Sequence, residues 1–237
     1  MRLTAPIYRL KRDAHRLART KGIALHAALD AIARTEGYAR WSELVAKQPA
    51  PNPASQLEEV LAPGELLLLA ARPGQGKTML ALEALVHAIR RGRQGLFFTL
   101  DWTERDLNDA LRVLAVDPAT LGGRLSCETS DDICAKFMIE RLRGAAPGTL
   151  AVIDYLQLLD QRRETPPVSE QLAALGQFAA ASGVRFIVLS QVDRRFDPAL
   201  RPLPGPDDVR RPNPVDLSLF ARACYLHDGA LRIDRAA

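Results

Sequence analysis

One stretch constrains this chain more than any other: ELLLLAARPGQGKTM, residues 65–79. An unbroken apolar run enters two closely spaced glycines, and Lys77-Thr78 then opens an amphipathic pattern, KTMLALEALVHAIRR (77–91). A short apolar run of this kind reads as a strand buried on both faces, and the pattern after it reads as a helix. Between them, Gly74 and Gly76 let the backbone curl so that successive N–H groups face one anion. The helix adds the positive end of its dipole at the same point. Lys77 is placed to reach β- and γ-phosphate oxygens, and Thr78 to ligate Mg²⁺. Arg72, Pro73, Gly74, Gln75, Gly76, Lys77, Thr78 and Met79 are therefore the candidate nucleotide-binding residues, with ATP and Mg²⁺ the expected ligands. The general phosphate-loop pattern asks for glycine at 71, where this chain has Ala71.

The rest of the chain alternates in the same way. Apolar strands are expected at 95–101, 150–155 and 185–191, with a further strand at 124–128. Helices are expected at 77–91, 104–115, 131–143 and 169–183, the last stopped by Gly183. ARACYLHD and ALRID read as two strands joined by a turn at Asp228-Gly229. Apolar strands alternating with helices imply an α/β fold, a mostly parallel sheet flanked by helices. Residues 193–215 carry Pro, Arg and Asp without periodicity, which in a compact domain marks a functional or disordered segment.

The first fifth of the chain is different. Residues 1–50 hold ten Lys/Arg against four Asp/Glu, an excess of six in a chain whose net charge is +4. Ile7, Leu10, Ala14 and Leu17 form one helical stripe ending at Gly22; Leu25, Leu29 and Ile32 form a second, closed by Gly37; 41–47 reads as a third short helix. Residues 48–56 have three prolines and no periodicity. The expected organisation is a basic helical module at 1–48, a Pro-rich linker at 49–57 and the α/β domain at 58–237. Basic residues Arg9, Lys11, Arg12 and Arg16 are candidates for contact with a nucleic acid, although a solvated face has the same composition. No apolar run reaches membrane-spanning length, and the N-terminus lacks a signal-peptide core, so a cytoplasmic protein without a membrane partner is expected. Cys127, Cys134 and Cys224 are scattered, without metal-type or redox-type spacing.

Three further stretches carry chemistry. LAVIDYLQLL (150–159) delivers Asp154 to the end of a buried strand, where a carboxylate can hold Mg²⁺ opposite Thr78. LDWTERDL (100–107) offers two anionic bases for an attacking water, Asp101 at a strand end and Glu104 one turn on. Asp101 has a competing role as a helix cap, which Thr103 can also fill. LSQVDRR (189–195) ends a strand on Gln191, whose amide can touch a γ-phosphate, and Arg194 and Arg195 then face DNA, a neighbouring nucleotide or only solvent.

Together AARPGQGKT, LFFTLDWTERDL, VIDYLQLL and VLSQVDRR resemble the ATPase domain of DnaB-type replicative helicases, a RecA-like P-loop fold. In that family Ala-Arg-Pro commonly precedes x-x-Gly-Lys-Thr, so Ala71 is expected. The resemblance covers about residues 58–229. It implies phosphate and Mg²⁺ binding by Lys77 and Thr78, a Walker B carboxylate at Asp154, a γ-phosphate sensor at Gln191, and the water-activating role at Asp101. It also implies single-stranded DNA as partner, and a homo-oligomeric ring or filament. Residues 207–229 look like a shortened version of the family's late loop and strand. Three departures stand out. Asp101 replaces the usual glutamate, shortening the base by one methylene. The family's last strand, with its basic finger for the neighbouring subunit, has no evident counterpart, Arg232 and Arg235 being the only substitutes in view. The N-terminal module is small for a replicative helicase. The expectation is an ATPase acting on DNA; the alternatives are a low-turnover nucleotide-dependent regulatory module and a RecA-like assembly protein that does not unwind.

Overall fold

The computed structural model describes residues 4, 7–47, 52–156, 159, 166–210 and 216–235, with backbone alone at 7–9, 12 and 47. The chain divides into two compact units, Met1–Asn52 with Asp228–Ala230, and Pro53–His227 with Leu231–Ala237.

In the first unit, helices α1 (Ile7–Lys21), α2 (Leu25–Thr35) and α3 (Trp41–Lys47) follow one another. Leu10, Ala33, Tyr38 and Leu44 form its small core, with Ile32 and Trp41 packed against it. The burial differs from the stripe expected at Leu25, Leu29 and Ile32: Ala28 and Ala33 are fully buried, while Leu25 is exposed. Small side chains let two helices approach closely, so alanines occupy the contact and the leucines spread to its margins. The Asp30 carboxylate accepts the Trp41 N–H at 2.9 Å and so caps α3.

The second unit is built on a seven-stranded sheet. Its strands are β1 (Leu66–Ala71), β2 (Gly95–Thr99), β3 (Leu125–Glu128), β4 (Leu150–Asp154), β5 (Arg185–Gln191), β6 (Arg222–His227) and β7 (Ala230–Arg235). Their spatial order is β3-β2-β4-β5-β1-β6-β7. The pairs β1–β5, β1–β6, β2–β3, β2–β4 and β4–β5 are parallel. Each buried strand feeds both faces. Leu66, Leu68 and Ala70 join the core that contains Ile153, Phe186 and Val188. Leu67, Leu69 and Ala71 join the core of Leu82, Leu85, Val152 and Ile187 on the other side. This two-sided burial is why the strands carry continuous apolar runs instead of an alternating pattern.

Helices α4 (Pro53–Val60), α5 (Lys77–Arg90), α6 (Glu104–Val113), α7 (Ala135–Arg141) and α8 (Val168–Ser182) complete the domain. α5 packs on β1, β2, β4 and β5, and so runs diagonally from the end of β1 toward β4. At Gly95 an added Cβ would meet Leu85 and Ile89 at 3.0 and 3.1 Å, which makes this glycine part of the close helix-on-sheet contact.

One boundary differs from expectation. Residues 53–60 are helical, so the linker expected at 49–57 ends earlier; 48–51 lie outside the described residues. Pro53 stands in the first turn, where its missing N–H has no intrahelical acceptor to lose. Ala54, Leu57 and Leu61 then recur at helical spacing and are buried beside α5. Below them Glu58 pairs with Arg185 at the start of β5, Nη1 to Oε1 2.8 Å, both side chains nearly sealed from solvent. Arg185 also donates to the Gly148 carbonyl through Nε at 3.2 Å and Nη2 at 2.9 Å. Arg91 bonds the same Glu58 carboxylate and reaches Glu59 at 3.0 Å.

Candidate nucleotide site

The site begins where β1 ends. Arg72 closes a tight turn by accepting the Gln75 N–H at 3.2 Å. Gly74 and Gly76 have φ of 75° and 83°, the left-handed region that only glycine enters without cost. A Cβ at either position would meet open space, so it is backbone conformation, not crowding, that demands glycine there. Gly76 is the N-cap of α5 and has no side chain to satisfy the first amides, and no acidic residue follows in the first turn. The opening N–H groups of a helix have no intrahelical acceptor, so α5 presents donors and a positive dipole end to whatever lies beyond β1. Met79 turns its side chain toward the apolar core.

Asp154 is the last residue of β4 and is 5% exposed. β5 lies between β4 and β1, yet the first turn of α5 sets the Thr78 hydroxyl against Asp154, donating to Oδ2 at 2.8 Å. Burial pushes the Asp154 carboxyl above its ordinary range; the Thr78 hydrogen bond and the Lys77 charge act against this, and the Asp101 charge adds to it. A desolvated carboxylate, a hydroxyl at hydrogen-bond distance and a nearby lysine make an oxygen donor set suited to Mg²⁺. No group of three or more His, Cys, Asp or Glu capable of holding a metal occurs among the described residues.

The two candidate bases separate in space. Thr99 is level with Asp154 across the β2–β4 pair, and the Asp101 N–H donates to the Thr99 hydroxyl at 3.1 Å. Asp101 thus stands beside the β4 terminus, and its charge is felt there. Glu104 lines a cleft with Leu107, Leu125 and Cys127 toward the β3 edge. Burial above all, then the charges of Glu104 and Glu128, push the Cys127 thiol up to about 11. The capping question at Asp101 has a structural answer. Thr103 is the N-cap of α6, accepting the Asp106 N–H, while the Asp106 carboxylate accepts the Thr103 N–H at 2.8 Å. Asp101 carries no capping duty.

Gln191 ends β5 level with Ala71 at the root of the loop. Arg210 Nη1 donates to its Oε1 at 3.2 Å. Arg195 is held locally by Asp193, Nε to Oδ1 3.2 Å. Arg194 borders the cavity shared by Pro73, Gln191 and Arg210. Arg232 lies over the Tyr225 ring at 4.9 Å and pairs with Asp234 at 2.9 Å, so it is engaged within its own domain. Arg210 and Asp208 were invisible in the sequence because they fall in an aperiodic segment; their partners become apparent only in three dimensions. Gln157 and Leu158, and residues 211–215 of the late loop, lie outside the described residues, as do the side chains of Arg9 and Arg12.

A glycine loop between strand and helix, with its threonine meeting the carboxylate of a second strand on a mostly parallel sheet, defines a RecA-like P-loop nucleotide-binding ATPase domain. Comparison with known proteins gives the family: the profile described as "AAA domain" matches residues 32–198, and the chain belongs to it. The replicative DNA helicase DnaB of Leifsonia xyli is 27% identical over an alignment covering 70% of this chain, but only 44% of that protein. The chain thus spans less than half the length of this relative. Among solved structures, a DnaB-like replicative helicase studied with primase superposes at TM-score 0.58 and 16% identity, covering 91% of this chain and 64% of that one. A KaiC-like protein of Pyrococcus horikoshii gives 0.52 at 20% identity, covering 70% and 74%. At these identities the superpositions speak for the fold. No helix among the described residues is long and apolar enough to cross a membrane.

Proposed function

We propose that the protein binds MgATP at the 70–79 loop and hydrolyses it in connection with single-stranded DNA, as a homo-oligomeric ring or filament. The observation that carries this is the 2.8 Å contact between the Thr78 hydroxyl and the Asp154 carboxylate at the mouth of the glycine loop. Lys77 and the α5 amides bind the phosphates; Thr78 and Asp154 hold Mg²⁺. Bound Mg²⁺ supplies neutralising charge to the transferred phosphoryl oxygens. Asp101 orients the water and accepts its proton as the oxygen attacks the γ-phosphorus. The bond to the bridging oxygen breaks, and ADP departs with the electron pair. Gln191 contacts the γ-phosphate and changes partner on its release. Arg194 and Arg210 line one cavity with Gln191 and, with the exposed Arg195 beside them, suit a polyanion, as do the basic residues of α1. The DnaB relative is a replicative DNA helicase, which favours DNA over other polyanions as the partner.

One observation favours a second reading. Asp101 is exposed. A base that stays solvated in the working complex loses the water exclusion that sharpens proton transfer, and turnover is then slow. The chain would act as a nucleotide-dependent switch of assembly. Phosphate release with and without single-stranded DNA decides between the two. Asp101→Asn abolishes turnover and leaves ATP affinity nearly intact if the assignment is right. Loss of turnover in Glu104→Gln but not in Asp101→Asn moves the base to Glu104. Background turnover by a protein that assembles with ATP establishes the switch.

A further inference from the structure

We propose, resting on the nucleotide site assigned above, that Arg210 is a positioning residue for Gln191: it fixes the carboxamide so that the NH₂ group faces a terminal phosphate. A carboxamide has two ends of nearly equal shape and opposite polarity. Phosphate oxygens only accept hydrogen bonds, so only the NH₂ end of Gln191 can bind one. A guanidinium only donates, so the bond from Arg210 Nη1 to Gln191 Oε1 at 3.2 Å selects a single orientation of that amide.

The surroundings direct the selected end. Gln191 stands level with Ala71, where the glycine loop leaves the sheet. Pro73 of that loop, Gln191, Arg194 and Arg210 line one cavity of about 420 Å³. With its oxygen turned to Arg210, the Gln191 nitrogen is the end left for this space.

Arg210 is held beside Gln191 by the backbone. Its N–H donates to the Gln191 carbonyl at 2.7 Å, and the Asp193 N–H donates to the Asp208 carbonyl at 2.7 Å. Val192 and Val209 pair antiparallel between these two bonds. Asp208 is buried and anchors the segment, accepting from the Gly205 N–H at 2.7 Å and from Arg201 at 2.8 Å. Replacing the Arg210 side chain therefore removes the orienting donor and leaves the tether.

The test is the preference of the full-length protein for a fluorescent non-hydrolysable ATP analogue over the matching ADP derivative. Arg210→Met and Gln191→Ala are each expected to reduce the parent's triphosphate preference by about tenfold, the effect of one charge-assisted hydrogen bond, with ADP affinity unchanged. The double variant falls no further, because both changes remove the same interaction. Arg210→Lys, which keeps a donor, restores part of the preference. Gln191→Glu retains a partner for Arg210 but offers the phosphate no donor, and loses the preference. An Arg210→Met protein that prefers triphosphate as the parent does, or a double variant whose losses add, overturns the assignment and leaves the nucleotide site standing. Equal nucleotide uptake by Lys77→Ala and the parent removes the site itself and the role of Arg210 with it.

Discussion

Asp154→Asn is expected to stabilise the nucleotide-free protein at neutral pH while disabling the site. Asp154 is 5% exposed, and burial is the largest influence on its carboxyl, raising its pKa in the folded state. A carboxyl that holds its proton more tightly folded than unfolded contributes stability below its unfolded pKa, about 3.9. That contribution is lost as pH rises through the folded value. At pH 7.5 the folded state thus carries a desolvation cost that the Thr78 hydrogen bond and the Lys77 charge offset only in part, and that the neighbouring Asp101 charge increases. Asparagine has the same shape, and its amide oxygen accepts the Thr78 hydroxyl as the carboxylate does, so the substitution removes charge and little else. Relief of one such functional-site cost contributes about 0.5–2 kcal/mol. In a domain of this size that is about 1–8 °C in Tm, at about 2–4 °C per kcal/mol. The assay is thermal unfolding of the full chain in EDTA at pH 7.5 and again at acid pH, where the raised carboxyl takes up its proton more readily than in the unfolded chain and the difference shrinks. With MgATP at a hundred times its Kd the parent gains about 2.7 kcal/mol and the order inverts. A variant that melts at or below the parent in EDTA at pH 7.5, or gains as much from MgATP, refutes the account.

Two other outcomes are expected. Glu58→Gln leaves the sealed Arg185 without its counter-charge and costs about 3 kcal/mol in urea unfolding, whereas the pair Glu58→Leu and Arg185→Met recovers most of it; a single variant within about 1 kcal/mol of the parent would show the ion pair to be idle. Reversing charge at Arg9, Lys11, Arg12 and Arg16 together weakens binding to a single strand and flattens the slope of log K against log salt by about 0.7 for each phosphate no longer neutralised. An unchanged slope assigns that helix to solvent or to a protein partner.

Periodicity was enough to place the parallel sheet, because its strands are buried on both faces and stand out as apolar runs: LLLLAA, LAVID and RFIVLSQ need no neighbour to be recognised. The glycine loop was equally legible, since positive φ at Gly74 and Gly76 leaves a mark in residue type. The helix at Pro53–Val60 was hidden by its proline, although Ala54, Leu57 and Leu61 carried the spacing. The buried alanines of α2, Ala28 and Ala33, were hidden because small residues carry little hydrophobic signal.

From the sequence alone follow the class of fold, the phosphate loop and the set of side chains able to serve it, because local conformation and two-sided burial restrict which residues can stand where. Which of those side chains meet belongs to the tertiary structure. Thr78 and Asp154 are 76 residues apart and join only because the sheet order sets the end of β4 near the loop that follows β1. Asp101 and Glu104 lie within one turn of each other in the chain, yet one stands by the β4 terminus and the other by Cys127. Arg210 reaches Gln191 across 19 residues without periodicity. Contacts between distant segments depend on how elements pack, and packing leaves no pattern in either segment by itself.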